Sequence, residues 1–171
     1  MKNRILVFVC LFFAIGSYAQ EGLKAGIQGG MPFDDFNDDV SLTLGLDVGY
    51  MWALGEVVDA GITMGFINGF PETFHSDIVR EDLPHVQFVP FAASVRIWAG
   101  NSFSFGVDGG QAVGINKGND GGLYYRPQIG YLVDSNAELN LSYTAIELDS
   151  KTWTTLNIGL LYTFTLNGRR R

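Results

Sequence analysis

The chain of 171 residues has one cysteine, two histidines and five prolines, and 11 lysines and arginines against 18 aspartates and glutamates. A single cysteine excludes a disulfide scaffold. A net charge of −7 leaves no basic face for a phosphate backbone, which argues against a nucleic-acid partner. Long hydrophobic runs are missing too. The longest, Ile5 to Ile15, falls well short of the roughly 18 apolar residues that mark a membrane-crossing helix. What the chain does have is 47% hydrophobic residues, 13% aromatics and 22 glycines. That composition excludes a disordered chain, which would be poor in apolar and aromatic residues. The length suits one domain.

The first residues read as an address. Lys2 and Arg4 supply a positive start, Ile5 to Ile15 an apolar stretch, and Ser17-Tyr18-Ala19 the small residues of a cleavage site. This three-part pattern is that of a secretory signal peptide, residues 1–19, cleaved after Ala19. Cys10 lies inside the apolar stretch and belongs to the signal's core rather than to a lipid-attachment site. Cleavage takes Lys2 and Arg4 from the 11 cations. Nine then remain against 18 acids, net −9, with no cysteine. The exported domain, residues 20–171, must hold together without disulfides.

Beyond residue 20 the dominant period is two, the signature of strands. Val40, Leu42, Leu44, Leu46, Val48, Tyr50 and Trp52 fall on one face, with Ser41, Thr43, Gly45, Asp47, Gly49 and Met51 on the other. Seven further runs behave similarly. The expected strands are 22–31, 40–52, 56–67, 86–99, 102–115, 122–133, 137–148 and 154–166. Connections alternate between long (32–39, 68–85, 116–121, 149–153) and short (53–55, 100–101, 134–136). Tight turns on one rim and longer loops on the other, with an even strand number, predict an all-β fold: an eight-stranded antiparallel up-and-down transmembrane β-barrel.

The polar face decides which solvent the barrel meets. A soluble barrel puts its apolar face inward and coats its outside with long charged side chains. Here the polar face is Gly, Ser, Thr and Asn with a few charges, and Lys24 is the one lysine within the strands. Small polar residues suit the crowded inside of a narrow barrel, whereas Leu, Val, Ile and Phe make a poor water surface. Lipid is therefore expected outside. Tyr50, Trp52, Phe103, Tyr131, Tyr162 and Phe164 gather toward the short-turn rim, and Phe66 and Tyr125 toward the other, as aromatic girdles do.

With its signal, strand count, loop alternation and closing Leu160-Leu161-Tyr162-Thr163-Phe164 strand, the chain resembles the bacterial outer-membrane β-barrel proteins, in size the small eight-stranded OmpX/OmpA-type barrels. The resemblance spans Gly22 to Leu166. It implies location in the bacterial outer membrane at the cell surface. It also implies contact with outer-membrane lipid and lipopolysaccharide, and insertion by the barrel-assembly machinery, which reads an aromatic closing strand. This chain departs by running on through Thr165-Leu166-Asn167-Gly168 to Arg169, Arg170 and Arg171. A monomer is expected, and the family carries no shared activity, so the extracellular partner stays unknown.

Seven charges fall on the inward face: Lys24, Asp47, Asp59, Arg96, Asp108, Arg126 and Glu138. Buried charges must pair. Neighbouring strands offer Asp59–Arg96, Asp108–Arg126 and Lys24–Asp47. Such a network fills an eight-stranded interior, which is just wide enough for side chains; a proton or ion path is the rival reading. Catalytic, cofactor and metal residues are not expected. His75 and His85 lie in the 68–85 connection near Ser76, Asp77, Glu81 and Asp82. Adjacent positions such as His75-Ser76-Asp77 do not readily form one triad. Asp34-Asp35-Phe36-Asn37-Asp38-Asp39 lacks the spacing and glycine of a calcium loop and reads as a solvated acidic tip. Lys117 to Gly122 precedes a strand, not a helix, and is no phosphate loop.

The expected role is structural, or surface interaction through the long loops. The alternatives are a soluble periplasmic lipocalin-like barrel holding a small apolar ligand, a membrane-embedded lipid A-modifying enzyme, and a narrow porin-like pore.

Overall fold

The computed structural model describes residues 21–71 and 85–164. The alternating runs form eight strands: β1 Gly22–Phe33, β2 Val40–Ala53, β3 Val58–Pro71, β4 Val86–Ala99, β5 Phe103–Gly114, β6 Gly122–Leu132, β7 Ala137–Glu147 and β8 Thr152–Phe164. Each pairs antiparallel with its sequence neighbours, and β8 closes on β1. The fold is thus an eight-stranded up-and-down barrel without a free edge, so no row of backbone donors and acceptors is left unpaired at its side. The expected signal peptide, His75, Ser76, Asp77, Glu81, Asp82 and the residues after Phe164 lie outside the described residues.

The strand register gives the tilt. Stepping around the barrel through paired residues leads from Leu23 to Tyr50, Ile62, Ala93, Gly109, Tyr125, Ala145 and Thr154. The next step returns to β1 at Phe33, ten residues above the start. A stagger of ten over eight strands, at ~3.3 Å per residue and ~4.8 Å between strands, corresponds to a tilt of about 40°. Strands of 11 to 14 residues then span the ~25 Å apolar band of a membrane barrel.

The faces are inverted relative to a soluble domain. Ile27, Met31, Leu46, Ile62, Ile97 and Ile158 are all more than half exposed, whereas Lys24, Asp59, Arg96, Arg126 and Glu138 are buried. Outward aromatics pair at the short-turn rim: Tyr50 with Trp52, Phe103 with Tyr131, and Tyr162 with Phe164, ring centroids 4.8–5.1 Å apart. Near the long-loop rim, Tyr143 packs against Phe33 and Tyr125.

Several sequence expectations need correction. The strand expected at 56–67 runs to Pro71, and that expected from 154 begins at Thr152. Val40, expected to face lipid, is buried; a bulge between Val40 and Leu42 turns it inward. At the long-loop end the interior is apolar. Phe36, Val40, Ile67, Phe88, Tyr124, Ile146 and Trp153 close it as a packed cluster. Where both faces are apolar, or an amide such as Asn68 faces out, the polar–apolar alternation fades although the strand continues.

Phe36 belongs to this cap. The acidic stretch expected as a solvated tip contains a one-turn 3-10 helix, Asp34–Phe36, that drops the Phe36 ring onto Trp153 at 5.1 Å. Asp35 accepts a hydrogen bond from the Thr152 amide at 3.0 Å, and Asp39 pairs with Lys151 at 3.2 Å, fastening the loop to the start of β8. Asp34 takes up left-handed φ, +67°, to make the turn. Gly69 leaves room beneath, since a side-chain carbon there would strike the Trp153 ring.

Candidate functional site: the barrel-interior charge network

Strand parity brings all seven inward charges into the interior, where each is buried. They sort into two levels. Lys24, Asp59, Arg96 and Glu138 lie near the short-turn rim, with Trp98 beside them. Asp47, Asp108 and Arg126 lie at mid-height, below the apolar cap.

In the middle level Arg126 is the hub. Its Nε and Nη2 donate to Asp108 Oδ2 at 2.9 and 2.7 Å, and its Nη1 donates to Asp47 Oδ2 at 2.8 Å. Asp108 and Arg126 face each other directly on β5 and β6. One guanidinium thus serves two carboxylates, a fork geometry that a lysine ammonium does not reproduce.

In the lower level Arg96 Nη1 donates to Glu138 Oε1, which also accepts from Ser104 Oγ at 2.8 Å. Lys24 Nζ lies 3.5 Å from Glu138 Oε2 and 5.5 Å from the centre of the Trp98 ring. Asp59 accepts from Trp98 Nε1 at 2.8 Å. Gly130 creates the space for this junction, because a side-chain carbon there would meet Glu138 Oε1 and Ser104 Oγ. Gln128 ties the levels together: its Oε1 accepts from Arg96 Nη2 and its Nε2 donates to Asp108 Oδ2, both at 3.0 Å.

Two expected pairs are therefore replaced. Asp59 and Arg96 are direct cross-strand partners, yet the Arg96 guanidinium goes to Glu138 on β7, three strands away. Lys24 likewise meets Glu138, and Asp47 meets Arg126. The stagger explains both. The pairing line through Arg96 passes Gly106 and Gln128 and reaches β7 at Ser142. A stagger of ten per circuit means that three strands on, equal height lies about four residues lower. Four residues below Ser142 is Glu138. In a lumen one side chain wide, a long arginine finds its partner across the barrel at equal height.

A second, neutral layer was not read from the sequence. Thr43 Oγ1 donates to Asn157 Oδ1 at 3.2 Å, and Asn157 Nδ2 donates to Thr144 and Thr155 at 3.1 and 3.0 Å. Its signal was only inward Thr and Asn at matching depth. The side chains of this layer, like those of the charges and the cap, are buried. Of the other candidate residues, those that lie in 72–84 are outside the described residues. His85 is exposed and packs edge-on to Phe70 at 5.6 Å. Among the described residues no three His, Cys, Asp or Glu side chains group as metal ligands.

No protein-family model matches the sequence, and no curated protein matches it. Solved structures do. The crystal structure of Ail, the attachment invasion locus protein of Yersinia pestis, aligns with TM-score 0.56 at 15% identity over 86% of this chain and 99% of that one. The N-terminal β-barrel domain of Pseudomonas aeruginosa OprF aligns with TM-score 0.56 at 16% identity over 85% of this chain and 98% of that one. The chain has the fold of the small eight-stranded outer-membrane β-barrels. A structure from the de novo design of transmembrane β-barrels also aligns, with TM-score 0.53 at 14% identity over 85% of this chain and 98% of that one. At 14–16% identity, the likeness to these barrels is one of fold.

Proposed function

We propose that the protein is a non-conducting integral outer-membrane barrel that displays its long loops at the cell surface, in a structural or surface-interaction role without catalysis. The observation that carries this reading is the inverted distribution of side chains: an exposed apolar belt between aromatic rims, around a lumen packed with paired charges and capped by aromatics. In this reading residues 1–19 direct export and are removed. The barrel-assembly machinery inserts residues 20–171 as a monomer. The belt meets outer-membrane lipid, with lipopolysaccharide around the long-loop end. A soluble lipocalin-like barrel would expose this belt to water at a large cost.

Orientation is testable because the proposed mature chain has no cysteine. A cysteine replacing Asp120, in the connection between β5 and β6, is expected to react with an impermeant thiol reagent on intact cells. A cysteine replacing Asn101, in a tight turn, is expected to react only after the outer membrane is opened. Equal labelling, or recovery of the protein in the soluble periplasmic fraction, contradicts the reading.

The belt has its own test. Leu46 lies midway along β2, 56% exposed, between Ile27 and Phe66 on the outer face. Leu46→Arg is expected to lower stability in lipid vesicles by about 2–4 kcal/mol relative to Leu46→Ala. Similar unfolding midpoints for the two would mean that this face does not meet hydrocarbon.

A further inference from the structure

The two charge levels are joined at Gln128, but beside that joint three polar atoms have unused capacity. Asp108 Oδ2 accepts from Arg126 twice and from Gln128, whereas Asp108 Oδ1 accepts no hydrogen bond among the described residues. Arg96 uses Nη1 and Nη2, and its Nε donates to no described residue. Lys24 Nζ carries three protons and has Glu138 Oε2 at 3.5 Å, the outer limit of a hydrogen bond. Lys24, Arg96 and Asp108 all line one void of about 20 Å³, together with Asp47, Ser94 and Arg126.

We propose that this void is a binding site for a single water molecule, held between Lys24 and Arg96 as donors and Asp108 Oδ1 as acceptor. The size fits, since one water needs at least about 10–15 Å³ and two to four polar partners. The chemistry selects a neutral guest. A cation would meet the protons of Lys24 and Arg96, and an anion would meet Asp47 and Asp108. Water can accept from the first pair and donate to the second. It gives the lower and middle clusters a second connection beside Gln128, and it completes the hydrogen bonding of a buried charge that is costly to leave unpaired.

The test is a high-resolution crystal structure of the whole barrel. The expected result is one density peak within about 2.7–3.2 Å of Asp108 Oδ1 and of Lys24 Nζ or Arg96 Nε. A bromide soak should leave no anomalous signal there. In lipid nanodiscs, the amides of Ser94 and Thr63 should show magnetisation transfer from a slowly exchanging water. Ser94→Leu, which puts bulk into the void, should abolish that transfer at Thr63; if this variant does not refold, the wild-type measurements decide alone. An empty void with no transfer at either amide overturns the proposal. An anomalous bromide peak overturns it in favour of an anion site.

Discussion

Arg126→Met is expected to cost about 3–5 kcal/mol, because it leaves two buried carboxylates facing each other without a counter-charge. Asp108 loses two hydrogen bonds and Asp47 one, at 2.7–2.9 Å, in a part of the lumen where neither group reaches bulk water. Arg126→Lys should recover only part of the loss, since an ammonium cannot span both carboxylates as the guanidinium does. The measurement is urea unfolding in lipid vesicles. A double-mutant cycle with Asp108→Asn isolates the interaction: the pair removed together should cost clearly less than the sum of the single losses. Strictly additive losses would mean that Arg126 and Asp108 do not interact. The same cycle run on Arg96 should show strong coupling to Glu138 and weaker coupling to Asp59, reversing the order that strand adjacency alone predicts.

That contrast marks how far the sequence carries. Strand number, closure and the facing of each strand follow from a period of two, since inward residues in the middle of a strand are mostly small, polar or charged and outward ones mostly apolar. Asp108 with Arg126 is legible too, because the two are direct cross-strand partners. Arg96 with Glu138 is not legible without the stagger: the two belong to strands that do not pair, and only the ten-residue offset brings them level. The apolar cap escapes for a different reason. Trp153 and Ile67 point inward like Asn157 and Thr63, but in one dimension an inward tryptophan beside a turn looks like a loop residue. The bulge at Val40 leaves no trace in the sequence, since Val40 continues the valine and leucine run that faces outward below it. Facing is a local property, and height is a property of the closed barrel. The unread part of the site depends on height.

Trp153→Ala tests whether the cap is a stopper or a gate. Trp153 is fully buried, 5.1 Å from Phe36 and 5.3 Å from Phe88, and is the largest side chain of the cap. Its removal is expected to cost roughly 3–5 kcal/mol, the range for deleting a large buried aromatic side chain. Yet ion flow through the barrel should not rise. Beneath the cap the lumen is still crossed by the Arg126 cluster, then by the Arg96–Glu138 cluster, and it ends at Trp98, itself 3% exposed. A cavity at the mouth would admit water to the upper interior without connecting it to the other rim. Planar-bilayer conductance and vesicle unfolding on the same variant separate the two effects. Loss of stability with no added conductance is the outcome for a filled barrel. Stepwise conductance from this single change would show that the aromatics alone hold a pore shut, and that the charge layers beneath them let ions pass.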